Sequence, residues 1–187
     1  MTSQVNPGNG SSSILVVDDH AFNLEVMEGL LYREGYKVGL AQEMCRAVRY
    51  NVPLTLVMMD VDKFGHYIKV NGHYHGDLVL KKIGELLSRN IRGSDIVVRY
   101  GSDAFGVILP NTFLAPGVKL SKRFHAMIRD YPFSREEVQP KGKITVSIGV
   151  AAFRDQTPEE LLRCSETALS SALQKGGDNV EVYEELG

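Results

Sequence analysis

Apolar residues along this chain fall into short continuous runs that alternate with stretches of helical spacing. Ile14 to Val17 is such a run, ending in Asp18-Asp19, and Phe22, Leu24, Met27, Leu30 and Leu31 follow at helix period, with Gly35 placed to close that helix. Arg46 to Tyr50 reads as the end of another helix, and Leu54 to Asp60 (LTLVMMD) as a buried strand that ends in a carboxylate. A helix opens at Gly76-Asp77, with Val79, Leu80, Ile83, Leu86 and Leu87 on one face and Lys81, Lys82 and Glu85 on the other. After the polar stretch Ile91 to Asp95, two apolar runs, Ile96 to Tyr100 and Phe105 to Leu109, flank Gly101-Ser102-Asp103, which predicts a hairpin with Asp103 at its tip. A helix from about Pro116 to Asp130 and a strand from Ile144 to Ala151 come next. Thr157-Pro158-Glu159-Glu160 has the form of a capping box with proline at the first helical position; the helix it starts is stopped by Gly176-Gly177. Asn179 to Tyr183 reads as a last strand. The alternation, with one hairpin in the middle, predicts an α/β domain built on a mixed sheet.

Composition supports one domain with a real core: 187 residues, 43% of them hydrophobic and 24% charged. The net charge is −2 and no Lys/Arg block occurs, so neither a nucleic acid polymer nor an anionic membrane is an expected partner. Any charged ligand must be met by a local pocket. The run Leu54 to Met59 is far too short to span a bilayer. Residues 1–13 (MTSQVNPGNGSSS) are expected to be a flexible tail, being nearly devoid of apolar side chains. Two cysteines, Cys45 and Cys164, lie on helical patterns without a CxxC context; they are expected to be packed, reduced thiols of a cytoplasmic protein.

Four segments together carry a resemblance to the GGDEF domain, the diguanylate cyclase family. Asp60-Val61-Asp62-Lys63-Phe64 resembles its DxDxF strand end, and Gly72-His73-Tyr74-His75-Gly76-Asp77 its GHxxGD. Arg99-Tyr100-Gly101-Ser102-Asp103-Ala104-Phe105 stands where RYGGDEF would be, and Val146-Ser147-Ile148-Gly149-Val150-Ala151 is similar to its VSIGVA strand. Gly29 to Tyr36 is a weaker match to its GLxNRRxF. The resemblance implies the palm-type, nucleotidyl-cyclase-like fold: a central mixed sheet with an antiparallel hairpin, surrounded by helices, over residues 25–187. Ile14-Leu15-Val16-Val17-Asp18-Asp19 is similar to the first strand of a response-regulator receiver, so residues 14–24 are expected to be a receiver-like remnant.

The same resemblance implies which residues would act. Asp60 and Asp103 match the positions that would coordinate Mg²⁺. Ala104 replaces the next carboxylate of the signature, Gly65 a phosphate-binding lysine, Ile68 an asparagine that reads guanine, and Leu173 and Gly177 a lysine and an arginine on the triphosphate. Asp77 keeps the family's guanine-binding position, and Lys69 and Lys175 are the cations nearest to replacing those lost. Charge-assisted hydrogen bonds are worth about 1.5 to 3 kcal/mol each, so such losses predict a catalytically inactive domain that needs no cofactor. Arg92-Gly93-Ser94-Asp95, in contrast, matches the RxxD of the family's inhibitory site, and Arg123 falls where a neighbouring helix adds an arginine. Lys122 and Arg99 are lesser candidates there. A guanidinium suits a phosphate or the guanine acceptor edge, and a carboxylate suits the guanine N1 and N2 protons.

The expectation is therefore a receptor that binds cyclic di-GMP through Arg92, Asp95 and Arg123 and relays the signal to a downstream protein, with a homodimer bridged by the ligand among the arrangements the resemblance allows. The alternative is an active cyclase that joins two GTP using Asp60, Asp103 and Mg²⁺, with product feedback at RxxD. A second alternative is a scaffold that binds protein partners and no nucleotide.

Overall fold

The computed structural model describes residues 38–184. The receiver-like segment, the tail and the GLxNRRxF-like stretch lie outside them. Helix α1 occupies residues 38–50. The elements that follow are β1 (Leu54–Val61), α2 (Phe64–Asn71), α3 (His73–Ser88), β2 (Ile96–Arg99), β3 (Ala104–Pro110), α4 (Leu114–Asp130), a 3₁₀ turn (Glu136–Val138), β4 (Val146–Ala152), α5 (Pro158–Gln174) and β5 (Val180–Val182). No helix among the described residues is long and apolar enough to cross a membrane.

The strands form one sheet in the order β2-β3-β1-β4-β5, with β1 antiparallel to both of its neighbours and β5 parallel to β4. This is the mixed sheet the sequence predicts. β1 is apolar on both faces because both are covered, and its period of two sorts the residues. Val57, Met59 and Val61 join α2, α3 and α4 in one core, while Leu54, Leu56 and Met58 join α1 and α5 in the other. Asp60 continues the second set to the end of the strand.

Two helix starts differ from expectation. The stretch Phe64 to Asn71, which the periodicity left unassigned, is a helix of eight residues that buries Phe64 and Tyr67. Gly72, at φ +83°, breaks the chain between α2 and α3, so α3 starts at His73, before Gly76-Asp77. Only glycine holds that backbone angle without strain. The capping box of α5 forms as expected: Thr157 Oγ1 accepts from the Glu160 N–H, and the Glu160 carboxylate accepts from the Thr157 N–H. Cys164 is buried, but Cys45 is exposed on α1, correcting the expectation of two packed thiols.

The backbones of α5 and β4 meet at Gly149. A Cβ there would fall inside van der Waals contact of Ser165 O and Leu169 N. Backbone cannot rotate away as a side chain can, so Gly149→Ala should destabilise the domain by about 3 kcal/mol or more, which urea unfolding of the two proteins would measure.

Candidate functional site

The register of the sheet assembles the carboxylates. Asp60 at the end of β1 pairs with Ala104 of β3 on one side and Ser147 of β4 on the other. The Val61 N–H donates to Asp103 O at 3.1 Å, which pins the hairpin turn against the end of β1. Asp103 Oδ1 accepts from Ser102 Oγ at 2.7 Å. Half-burial is the main reason the Asp60 carboxyl is pushed up from its usual 3.8 to about 7, with the negative charges of Asp103 and Asp62 adding to it. Asp60 and Asp103, the two expected metal positions, therefore lie close enough to repel each other. Ala104, directly across from Asp60, adds no further charge to this pair.

Asp62 does different work. Its carboxylate accepts from Thr145 Oγ1 at 2.7 Å, Ser147 Oγ at 2.6 Å and the Asp178 N–H at 2.9 Å, tying β1 to β4 and to the loop between α5 and β5. Asp178 in turn meets His125 Nε2 of α4 at 2.8 Å. Neither Asp62 nor His125 had an assigned role in the sequence.

The depleted positions have separate structural settings. Ile68 is partly buried in the core, and its Cγ1 lies where a Cβ at Gly76 would be 3.0 Å away. Gly177 sits at φ +70° with Asp62 Oδ1 only 2.7 Å from where its Cβ would be, so this loop conformation leaves no room for the arginine of the family pattern. Gly65 has open space around it, and Leu173 is exposed. Lys175 is held by Glu181 at 2.6 Å, while Lys69 is exposed in the last turn of α2. Among the described residues, no group of three or more His, Cys, Asp or Glu side chains is disposed to hold a metal by protein ligands alone.

The second candidate site lies beside the β2 end of the sheet. The Arg92 N–H donates to Asp95 Oδ2 at 2.9 Å, the Asp95 N–H returns to Arg92 O at 3.0 Å, and Ser94 Oγ donates to Asp95 Oδ1 at 3.3 Å. This local turn keeps Asp95 buried, at 6% exposure, while Arg92 remains exposed. Each carboxylate oxygen has a second lone pair left to accept with. Arg123 of α4 reaches across to donate to Asn90 O at 2.5 Å. Arg92, Asp95 and Arg123 line one cleft of about 260 Å³, with Ile91, Leu109 and Leu120 among its apolar walls. Lys119 also lines it, a residue given no role from sequence; Lys122 does not. Arg99 is turned to the hairpin, where it donates to Ser102 O at 2.7 Å. On the other face of the same loop, Gly93 and Ser94 line a wider groove of about 720 Å³ with Glu43, Arg46 and Tyr50 of α1.

The model of the family described as diguanylate cyclase, GGDEF domain, matches residues 24–179. The chain is 34% identical over 157 residues to the diguanylate cyclase DgcP of Pseudomonas aeruginosa, covering 83% of this chain and 23% of that protein. It is 30% identical over 167 residues to the response regulator PleD of Caulobacter vibrioides, covering 87% of this chain and 37% of that one. The chain thus spans well under half the length of these relatives. In fold it is similar to the GGDEF domain of DgcB from Caulobacter crescentus, solved in complex with c-di-GMP, with a TM-score of 0.75 at 21% identity, over 82% of this chain and 88% of that one. The expectation of an inactive, non-enzymatic domain is overturned by this placement: the named relatives include diguanylate cyclases, and the absent cations and Ala104 leave the Asp60 and Asp103 pair in place. By the extent and position of the match, the chain belongs to the GGDEF domain family of diguanylate cyclases.

Proposed function

We propose that this domain condenses two molecules of GTP into cyclic di-GMP and binds that product in the cleft of Arg92, Asp95 and Arg123. The observation that supports catalysis is the carboxylate pair: Asp60 on the central strand and Asp103 on the adjoining turn, with Asp60 raised to about 7 by burial and like charge. Excess negative charge of this kind suits a hard divalent cation that takes few protein ligands and completes its shell with water and substrate phosphate. Mg²⁺ held by Asp60 and Asp103 would supply positive charge opposite the α-phosphate. In each half-reaction a ribose 3′-hydroxyl attacks the α-phosphate of the other GTP, a P–O bond forms, pyrophosphate leaves and the hydroxyl proton is given up. One site holds one GTP, so two copies of the domain must face each other.

The chain's own residues then have distinct tasks. Asp62 holds the loop of Gly177 and Asp178 against β4, and Ser102 orients Asp103. Asp77, exposed on α3 just past its first turn, offers the carboxylate for the guanine edge. The loss of cations at Gly65, Leu173 and Gly177 falls on triphosphate binding, so it acts on KM for GTP before it acts on turnover.

With GTP and Mg²⁺, the wild type should accumulate cyclic di-GMP at a high KM, and Asp103→Asn should reduce kcat at least a hundredfold. Arg92→Ala should leave the initial rate unchanged and relieve inhibition by added cyclic di-GMP. Chromatographic assay of the product checks all three; absence of product from the wild type refutes the catalytic half.

Asp60 also sets a pH dependence. Because its folded pKa lies above the unfolded value, the folded state binds the extra proton between about pH 4 and 7. Without metal, stability should fall as pH rises through that window. Asp60→Asn should flatten the profile, and Mg²⁺ should restore wild-type stability at pH 8 while leaving the variant unmoved. Urea unfolding across the pH range reads both effects.

A further inference from the structure

We infer that Lys119 is a phosphate-binding residue of the cleft formed by Arg92, Asp95 and Arg123; the assignment deepens the proposed reading of that cleft and rests on it. Helix α4 turns Pro116, Lys119, Leu120 and Arg123 toward the cleft, the i, i+3, i+4, i+7 face of one helix. The lining thus carries three cations, Arg92, Lys119 and Arg123, against one carboxylate. That carboxylate, Asp95, accepts from the Arg92 N–H and Ser94 Oγ, and it forms no side-chain ion pair with any of the three. Arg123 is braced on Asn90 O, and Lys119 is exposed and makes no hydrogen bond or ion pair with any described residue. A cleft with this surplus of positive charge beside a buried carboxylate suits a guanine nucleotide: the carboxylate receives base N–H groups, and the cations take the phosphate.

The helix spacing assigns the division of labour. Four residues of α-helix rise about 6 Å, so Lys119 and Arg123 stand about one phosphate group apart along α4. From there they can donate to two oxygens of the same phosphate from opposite sides. Arg92, on the facing loop, presents a planar fork, whereas Lys119 is a point charge on a flexible stem. Lys119 therefore adds affinity for the anion without reading the base.

The test is titration calorimetry with cyclic di-GMP at several salt concentrations, on wild type, Lys119→Ala, Lys119→Arg and Arg92→Ala, with cyclic di-AMP and inorganic phosphate as probes of base and anion alone. Lys119→Ala should weaken cyclic di-GMP binding about 5- to 30-fold and make the affinity less sensitive to salt. Lys119→Arg should stay close to wild type. The ratio of affinities for cyclic di-GMP and cyclic di-AMP should be unchanged in Lys119→Ala, and inorganic phosphate alone should compete only weakly. Melting temperatures of the variants exclude a folding defect. If Arg92→Ala abolishes binding while Lys119→Ala keeps wild-type affinity and salt dependence, the assignment of Lys119 is wrong and the cleft stands. If the wild type binds no cyclic di-GMP, the reading of the cleft itself fails.

Discussion

The carboxylate of Asp62 is the point on which the Asp60 end of the sheet depends. Its two oxygens take hydrogen bonds from Thr145, Ser147 and the Asp178 N–H, and its peptide N–H and C=O bond to Thr145 O and Gln139 Nε2. Four stretches of chain, the end of β1, the residues leading into β4, β4 itself and the α5 to β5 loop, therefore meet at one side chain. Half-buried and satisfied on both oxygens, such a network favours one arrangement, because a lost partner leaves a partly desolvated charge. Asp60 lies two residues before Asp62, near the end of β1, where Ala104 and Ser147 flank it in the sheet.

The domain tolerates its unbalanced carboxylates because the rest of the sheet is overdetermined. β1 is paired from Leu54 to Asp60 with β3 and from Thr55 to Val61 with β4, and its apolar residues are buried on both faces. Fixed backbone therefore holds Asp60 and Asp103 near each other against their repulsion. A bound cation would relieve the repulsion without moving the strands.

Much of this was legible in the sequence. The hairpin followed from two apolar runs around Gly101-Ser102-Asp103, the start of α5 from Thr157 and Glu160, and the carboxylate pair from Asp60 and Asp103 in a family register. Local signals of this kind need no knowledge of distant contacts. What escaped depends on them. α2 was hidden because it is short and Gly65 interrupts its pattern, while burial of Tyr67, whose hydroxyl donates to Ser134 O at 2.6 Å, supports it from a segment far along the chain. Asp62, His125 and Lys119 were missed for the same reason: each acquires its role only when another element is brought alongside. The expectation of inactivity failed differently. It summed missing side chains as independent losses, although neighbouring groups in one site do not add.

Helix α4 touches both sites through residues two apart. Arg123 faces the RxxD cleft, and His125 holds Asp178, whose N–H bonds to Asp62. The helix is therefore a shared wall, and a substitution that rotates or frays it registers at both ends. A defect in turnover produced by changing α4 is not by itself a sign of a catalytic role, nor is a change in nucleotide affinity a sign of direct contact. Engineering that seeks to alter one site alone is better confined to the Arg92 to Asp95 loop or the hairpin turn, which the other site does not share.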